Sequence, residues 1–173
     1  AEVIREANLP HALFEALIRA RRHDIYAERF EDMEALVAYL EATSGGLMAL
    51  AARALGASEN ATPLKFGTGS GAGSLIVALP ALIAAGRNPL PKGDDAESLC
   101  ALAKNGIDAI AMARLGRRTV PQASRPAMLA GWRAMGPLRA ALAQPQRCLQ
   151  ETWTGSEFQR RASLLLRAAT GRW

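Results

Sequence analysis

Apolar residues recur along this chain at three- and four-residue steps and almost nowhere in alternation. After Leu9 and Pro10, the positions Leu13, Phe14, Leu17 and Ile18 make one helical stripe that continues to Ile25. A second stripe follows Phe30, Glu31 and Asp32. It runs through Met33, Leu36, Val37, Leu40, Leu47 and Leu50 to Leu55 and stops at Gly56. Gly45 and Gly46 lie inside it. Each glycine costs a helix about 1 kcal/mol relative to Ala, so the pair predicts close packing or the approach of a ligand. The polar residues from Ala57 to Thr62 predict a loop.

The stretch 67–91, GTGSGAGSLIVALPALIAAGRNPLP, places glycine at four alternate positions before an apolar run. The pattern predicts a third helix over 64–85 and an extended, proline-bound loop from Asn88 to Lys92. Asp94 and Asp95 predict the start of a fourth helix through about Leu115. Its acidic start, with Arg114, Arg117 and Arg118 at its end, suits the helix dipole. Pro121 to Pro126 reads as a linker. Met128, Leu129, Trp132, Met135, Leu138 and Leu142 predict a fifth helix, kinked at Gly136 and Pro137. Beyond Pro145, Ser156 is placed to cap a last helix carrying Phe158, Leu164, Leu165 and Leu166.

Composition agrees with helices. Half of the 173 residues are hydrophobic but only 5% are aromatic, and the apolar share is mostly Ala and Leu. The expectation is an all-α protein, with 1–173 as a single domain. A net charge of +5 is compatible with nucleic acid, an acidic membrane surface or a polyphosphate ligand. The arginine groups 21–22, 114–118, 133–147 and 160–172 have few aromatics between them and read as solvated faces. Cys100 and Cys148 lack metal-site spacing and lie in helical apolar pattern, which predicts buried free thiols. No signal segment opens the chain. It begins on Ala rather than Met, so further sequence upstream is expected.

The residues exclude several chemistries and leave others open. A dinucleotide loop needs a strand before its glycines, and Lys65 and Phe66 are too short for one. The Gly-Lys-Ser/Thr of a phosphate loop is absent. The apolar run Leu75 to Ala85 is about half of the ~20 residues of a membrane span and contains Pro80, so no transmembrane segment is expected. His11 and His23 read as surface histidines, since His23 and its neighbour Asp24 do not face each other on a helix. Asp24 alone is a magnesium ligand or a helix-end charge. Tyr39, Thr43 and Leu47 follow at four-residue steps, a spacing that serves core packing or lines an apolar tunnel.

These residues also carry a resemblance. The run from Leu17 to Asp24 and Ile25, then Phe30, then Leu36 through Tyr39, Thr43, Gly45 and Gly46 to Leu47, resembles the middle of the squalene/phytoene synthase family. Gly86, Arg87, Asn88, Pro89, Leu90 and Pro91 are similar to its GR.yLP ending, and Ala168 to Arg172 to its C-terminal a..Gr. The resemblance extends over nearly the whole chain. It implies an isoprenoid-synthase-like helical bundle lacking its N-terminal helices, around a central cavity. It also implies, for active members, head-to-head condensation of prenyl diphosphates on magnesium held by two aspartate-rich helices.

The family's second aspartate-rich motif, Q..N..RD…D, falls on Gly71, Ser74, Val77, Ala78 and Leu82. No Asp, Glu, Asn or Gln occurs between residues 66 and 86, so the loss does not depend on the register. The first motif would lie upstream of Ala1. The wording ALPALIAAGR resembles the branch tied to respiratory complex I assembly.

The resulting expectation is a non-catalytic relative acting as a scaffold or assembly subunit. Tyr39, Thr43, Leu47, Gly71, Ser74, Val77, Ala78 and Leu82 would line a vestigial cavity, and Asp24, Gly86, Arg87 and Pro91 would mark the family motifs. No catalytic residue, no metal and no cofactor are expected, magnesium entering only with the alternative of an active prenyl transferase. Partners would be other protein subunits, with a prenyl lipid as the alternative and without nucleic acid. A truncated bundle exposes an apolar face that a partner would cover. The location would be the mitochondrial matrix or bacterial cytoplasm, peripheral to the inner membrane.

Overall fold

The glycine-rich apolar stretch becomes the axis of the molecule. In the computed structural model the helices are, in chain order, Glu2–Glu6 (α1), His11–Arg21 (α2), His23–Tyr26 (α3), Met33–Leu40 (α4), Gly46–Ala54 (α5), Ala61–Ala84 (α6), Asp95–Leu115 (α7), Arg125–Leu129 (α8), Met135–Ala143 (α9), Pro145–Gln150 (α10) and Glu157–Thr170 (α11). The structure describes all residues except Ala1, Ala27, Glu59, Asn60, Thr154, Gly155 and Arg172, and the side chains of all the rest but Val3, Glu157, Phe158, Gln159 and Arg160. The expectations for Phe158 and Arg172 lie outside the described residues. Among the described residues there is no strand, and the all-α class holds.

α6 is surrounded. Every residue from Phe66 to Gly73 is buried, which only a helix with neighbours on all sides achieves. The alternate glycines serve different neighbours. Gly67 and Gly71 meet Ser44 and Gly45, Gly69 meets Gly106 and Ile110 of α7, and Gly73 meets Ala134. The hydroxyls between them bond back along the helix, Thr68 to the Leu64 carbonyl at 2.8 Å and Ser70 to that of Phe66 at 2.7 Å, so no buried donor is wasted. Leu36, Ile76, Leu79, Leu90, Leu99, Leu102 and Leu138 complete a continuous core around this axis.

The ends of α4 and α7 follow their sequence signals. Asp32 accepts from the Ala35 amide at 2.8 Å, and Asp94 from that of Glu97 at 2.8 Å. Elsewhere the structure corrects the periodicity. The long second helix is not uniform: between α4 and α5, residues Glu41–Gly45 form a π turn, a widened turn that inserts an extra residue. It lies where Ser44 and Gly45 press onto α6. The first helix breaks at Arg22 instead of running to Ile25, and α2 buries no residue. The fifth helix breaks at 130–134 rather than at Gly136 and Pro137. Gly131 is forced against Ser70 and Phe66 there, whereas Pro137 sits in the first turn of α9, where a missing N–H is harmless. α10 was not anticipated, and Ser156 precedes α11 without a capping hydrogen bond.

The membrane-span expectation also changes. The glycine-rich segment is helical, so α6 has 24 residues. Both it and the stretch Met33–Ala54 are long and apolar enough to cross a bilayer by length and composition. Their apolar windows are 56% and 50% buried inside the protein, respectively, as core helices are. Cys148 is buried and burial pushes its thiol up. Cys100 is only half-buried, its thiol 3.7 Å from the Ala141 carbonyl.

Candidate functional site

α3, α4, the C-terminal half of α6 and the loop after it enclose a cavity of about 280 Å³. Phe30, Leu75 and Leu82 supply its apolar wall, and Arg21, Asp24, Tyr39 and Arg87 its polar groups. The break at Arg22 turns α3 back toward α4. His23 then stacks on Phe30 with centroids 4.0 Å apart, and Phe30 meets the Tyr39 ring at 5.1 Å. The His23 ring nitrogen Nε2 lies 3.0 Å from the Glu28 carbonyl.

The polar groups form a closed triangle. Arg21 donates to Asp24 at 3.0 Å and to the Tyr39 hydroxyl at 3.1 Å, and Tyr39 donates to Asp24 at 2.8 Å. Burial, followed by the hydrogen bond to Asp24, pushes the Tyr39 hydroxyl up to about 12. The bond to Asp24 likewise raises Arg21. The folded protein thus holds the Tyr39 proton in a range where an unfolded tyrosine, with its pKa of about 10, loses it. The unfolded state binds fewer protons there, so stability falls as pH rises from about 10 to 12. A spectrophotometric titration should show a phenolate step near pH 12 that Tyr39→Phe removes; a wild-type titration complete by pH 11 would contradict the triangle.

The loop that closes the cavity is tied down from a distance. Arg29 donates to the carbonyls of Leu90 at 2.9 Å and Pro91 at 2.6 Å, and also to Asp95. Asn88 donates to Asp95 at 2.9 Å while its carbonyl receives the Leu90 amide at 3.0 Å. Gly86 turns the chain at φ +74°, a conformation that L side chains rarely adopt. Leu90 and Pro91 are buried, and Arg87 is exposed at the cavity.

Of the residues singled out in the sequence, Asp24, Tyr39, Leu82 and Arg87 come together. Thr43 and Gly71 are buried nearby but do not line the cavity: Thr43 bonds to the Tyr39 carbonyl at 2.7 Å, and Gly71 packs on Ser44. Leu47 is a correction. The π turn rotates everything after it, and Leu47 is 59% exposed. Ser74 and Val77 are a second correction, because they line a different cavity of about 230 Å³ with Arg133 and Trp153. Ala78 is exposed and lines neither. Arg29 carries no sequence signal, and Asn88 and Asp95, expected only as part of the loop motif and as a helix start, are also anchors of the loop. Arg21, expected on a solvated face, is exposed, and it also pairs with Asp24 at the three-residue spacing of a helical pair.

Magnesium does not fit the residues present. Asp24 is already engaged by Arg21 and Tyr39, Glu28 is the other carboxylate lining the cavity, and the motif positions on α6 offer only Gly71, Ser74, Val77, Ala78 and Leu82. No group of three or more His, Cys, Asp or Glu is placed to hold a metal ion among the described residues, whereas a magnesium pair takes oxygen ligands, carboxylates foremost.

The described residues thus make an all-helical protein with a partly apolar cleft closed by the loop at 86–91. The squalene/phytoene synthase family model matches residues 1–92, more than half of the chain, and the chain belongs to that family. The match takes in the whole cleft and ends just past Pro91, so the segment Ala168 to Arg172 lies outside it. No curated protein and no solved structure matches the chain.

Proposed function

We propose that this chain is a non-catalytic member of the squalene/phytoene synthase family, a structural or assembly subunit of a larger protein complex. One observation carries the reading: where the family's second aspartate-rich motif falls, α6 presents glycine, serine, valine, alanine and leucine in place of its polar ligands, and of the two acidic residues lining the cleft, Asp24 and Glu28, Asp24 is already engaged by an arginine and a tyrosine. Expelling diphosphate needs concentrated positive charge, and metal ions supply it only where carboxylates gather them. Respiratory complex I is the assembly proposed, on the likeness of ALPALIAAGR to the branch tied to it. The site of action is the mitochondrial matrix or bacterial cytoplasm. No cofactor is required.

The test is direct. The full chain, incubated with farnesyl or geranylgeranyl diphosphate and Mg²⁺, should release no pyrophosphate above a protein-free control; turnover would sink the proposal and restore the transferase. In cells, removal of the chain should lower the amount of assembled complex I, and unchanged complex I would remove that partner.

The cleft also supports a second reading, a prenyl-lipid pocket, with Phe30, Leu75 and Leu82 against the chain and Arg21 and Arg87 against an anionic head. Size counts against it: about 280 Å³ falls just under the ~300–1,000 Å³ of small-molecule sites. Prenyl lipid co-purifying with the chain, detected by mass spectrometry, would favour this reading over the scaffold.

A further inference from the structure

Among the described residues, two buried side-chain nitrogens have no hydrogen-bond partner, Nε of Arg125 and Nε1 of Trp173. Both residues line the same cavity, a space of about 290 Å³ between α8 and the end of α11. A buried N–H without an acceptor is costly, and folded proteins leave few of them. Two around one cavity point to an acceptor that enters from outside the chain.

The surroundings hold both donors in place. Ser124 is fully buried and donates to the Leu55 carbonyl at 3.0 Å, which fixes the start of α8, where Arg125 is the first residue. α11 rests on α8 with Leu165 and Leu166 turned outward. Gly171 ends α11 at φ +60°, a left-handed turn that suits glycine. Trp173, only 2% exposed, meets the Phe66 ring edge-on at 4.7 Å. The Arg117 guanidinium lies 5.7 Å from the centre of the same indole and donates to the Gly171 carbonyl. Pro126, Leu129 and Ala168 give the cavity an apolar side, facing Gln122, Arg125 and Trp173. Among the described lining residues Arg125 is the one charged side chain. The acidic residue of α11, Glu157, begins that helix, about 16 Å along the axis from Ala168.

We infer that this cavity binds a small organic oxyanion, a carboxylate or phosphate group on a short apolar body, whose oxygens accept from Arg125 Nε and Trp173 Nε1. The guanidinium makes the bond charge-assisted, the stronger kind, and Pro126, Leu129 and Ala168 receive the apolar body. Both nitrogens are covered by neighbouring atoms, so the oxyanion reaches them as the jointed Arg125 side chain shifts. The size selects a short acid over a long lipid, because about 290 Å³ stands at the foot of the ~300–1,000 Å³ of small-molecule sites. A water could accept from either donor, but it brings two hydrogens that need acceptors of their own, and an oxyanion brings none. The inference does not rest on the scaffold reading or on any role of the cleft.

The experiment titrates the full, isotope-labelled chain with benzoate, with phenyl phosphate and with benzamide, the uncharged counterpart of benzoate. In heteronuclear NMR spectra the indole N–H signal of Trp173, assigned by its loss in Trp173→Phe, should move downfield with at least one of the two anions and stay in place with benzamide. The anion that moves it names the head group. Calorimetry should show the affinity for that anion falling about tenfold in Trp173→Phe, which keeps a ring against Phe66 and removes the donor, and about tenfold to a hundredfold in Arg125→Gln. Arg87→Ala, in the cleft, should leave the affinity unchanged. The spectra of the unaltered chain decide the case even where a variant folds poorly. The inference is overturned if neither anion moves the Trp173 signal, which leaves water as the acceptor, or if benzamide moves it as far. It is equally overturned if the loss of affinity follows Arg87→Ala, which would put the anion in the cleft.

Discussion

Replacing Gly69 with alanine is expected to lower the thermal unfolding midpoint by about 4–8 °C, although alanine is the better helix former. A Cβ at Gly69 would stand 2.5 Å from the Gly106 carbonyl oxygen and 2.6 Å from the Ile110 side chain. The first of these is backbone and cannot rotate aside, so α6 and α7 must separate along their shared length. Overpacking a tight core costs about 1–3 kcal/mol, and contact with backbone puts this case at the upper end. Helix propensity returns about 1 kcal/mol, leaving a net loss of about 2. Gly46→Ala is the counterpart, since the nearest atom to its added Cβ is a carbonyl oxygen at an ordinary 3.8 Å. Only the propensity gain remains there, and the midpoint should rise by about 2–4 °C. Circular-dichroism melts of the two variants should therefore move in opposite directions; a rise in both would mean that α6 and α7 are not in backbone contact at Gly69.

That contrast shows how far the sequence can be read. Local rules located the elements whose causes are local: the Asp32 and Asp94 caps, the charge gradient along α7, and the helix over the glycines. They also gave close packing as a reason for Gly45 and Gly46, and only Gly45 requires it. What they could not carry was register. A single extra residue in the turn at Glu41–Gly45 moves Leu47 off the cavity, and no apolar spacing announces it, because the turn is a response to α6 pressing on Ser44 and Gly45. Gly131 breaks the fifth helix for a similar reason: its partner Ser70 is sixty-one positions away. The orientation of α11 was invisible too, since three consecutive leucines, set about 100° apart around a helix, single out no one face. At the site, Asp24, Tyr39, Leu82 and Arg87 were legible through the family resemblance, which fixes their order along the chain. Arg29 was not, because each of its partners lies more than sixty residues on.

Arg29→Met should be the most damaging single change at the cleft, costing about 3 kcal/mol and about 6–12 °C in midpoint. Arg29 is half-buried and its fork serves the carbonyls of Leu90 and Pro91 and the carboxylate of Asp95. Methionine keeps the stem but leaves two part-buried carbonyls without this donor, and an unpartnered buried acceptor costs about 1–3 kcal/mol. Lysine would not rescue the loss, since one ammonium cannot reproduce the planar fork that reaches three acceptors. The loop should loosen before the bundle melts. The Leu90 amide is held by Asn88, which is held in turn by Asp95, so in Arg29→Met its hydrogen exchange should quicken while that of α7 stays slow. Arg87→Ala tests the other half of the same motif. Arg87 is exposed at the cavity and should change stability by no more than about 0.5 kcal/mol. If Arg29→Met were equally mild, the Leu-Pro end of the motif would not be anchored as described. If Arg87→Ala were the damaging one, the motif would be structural throughout, and the cleft would lose the cation placed to meet an anionic ligand.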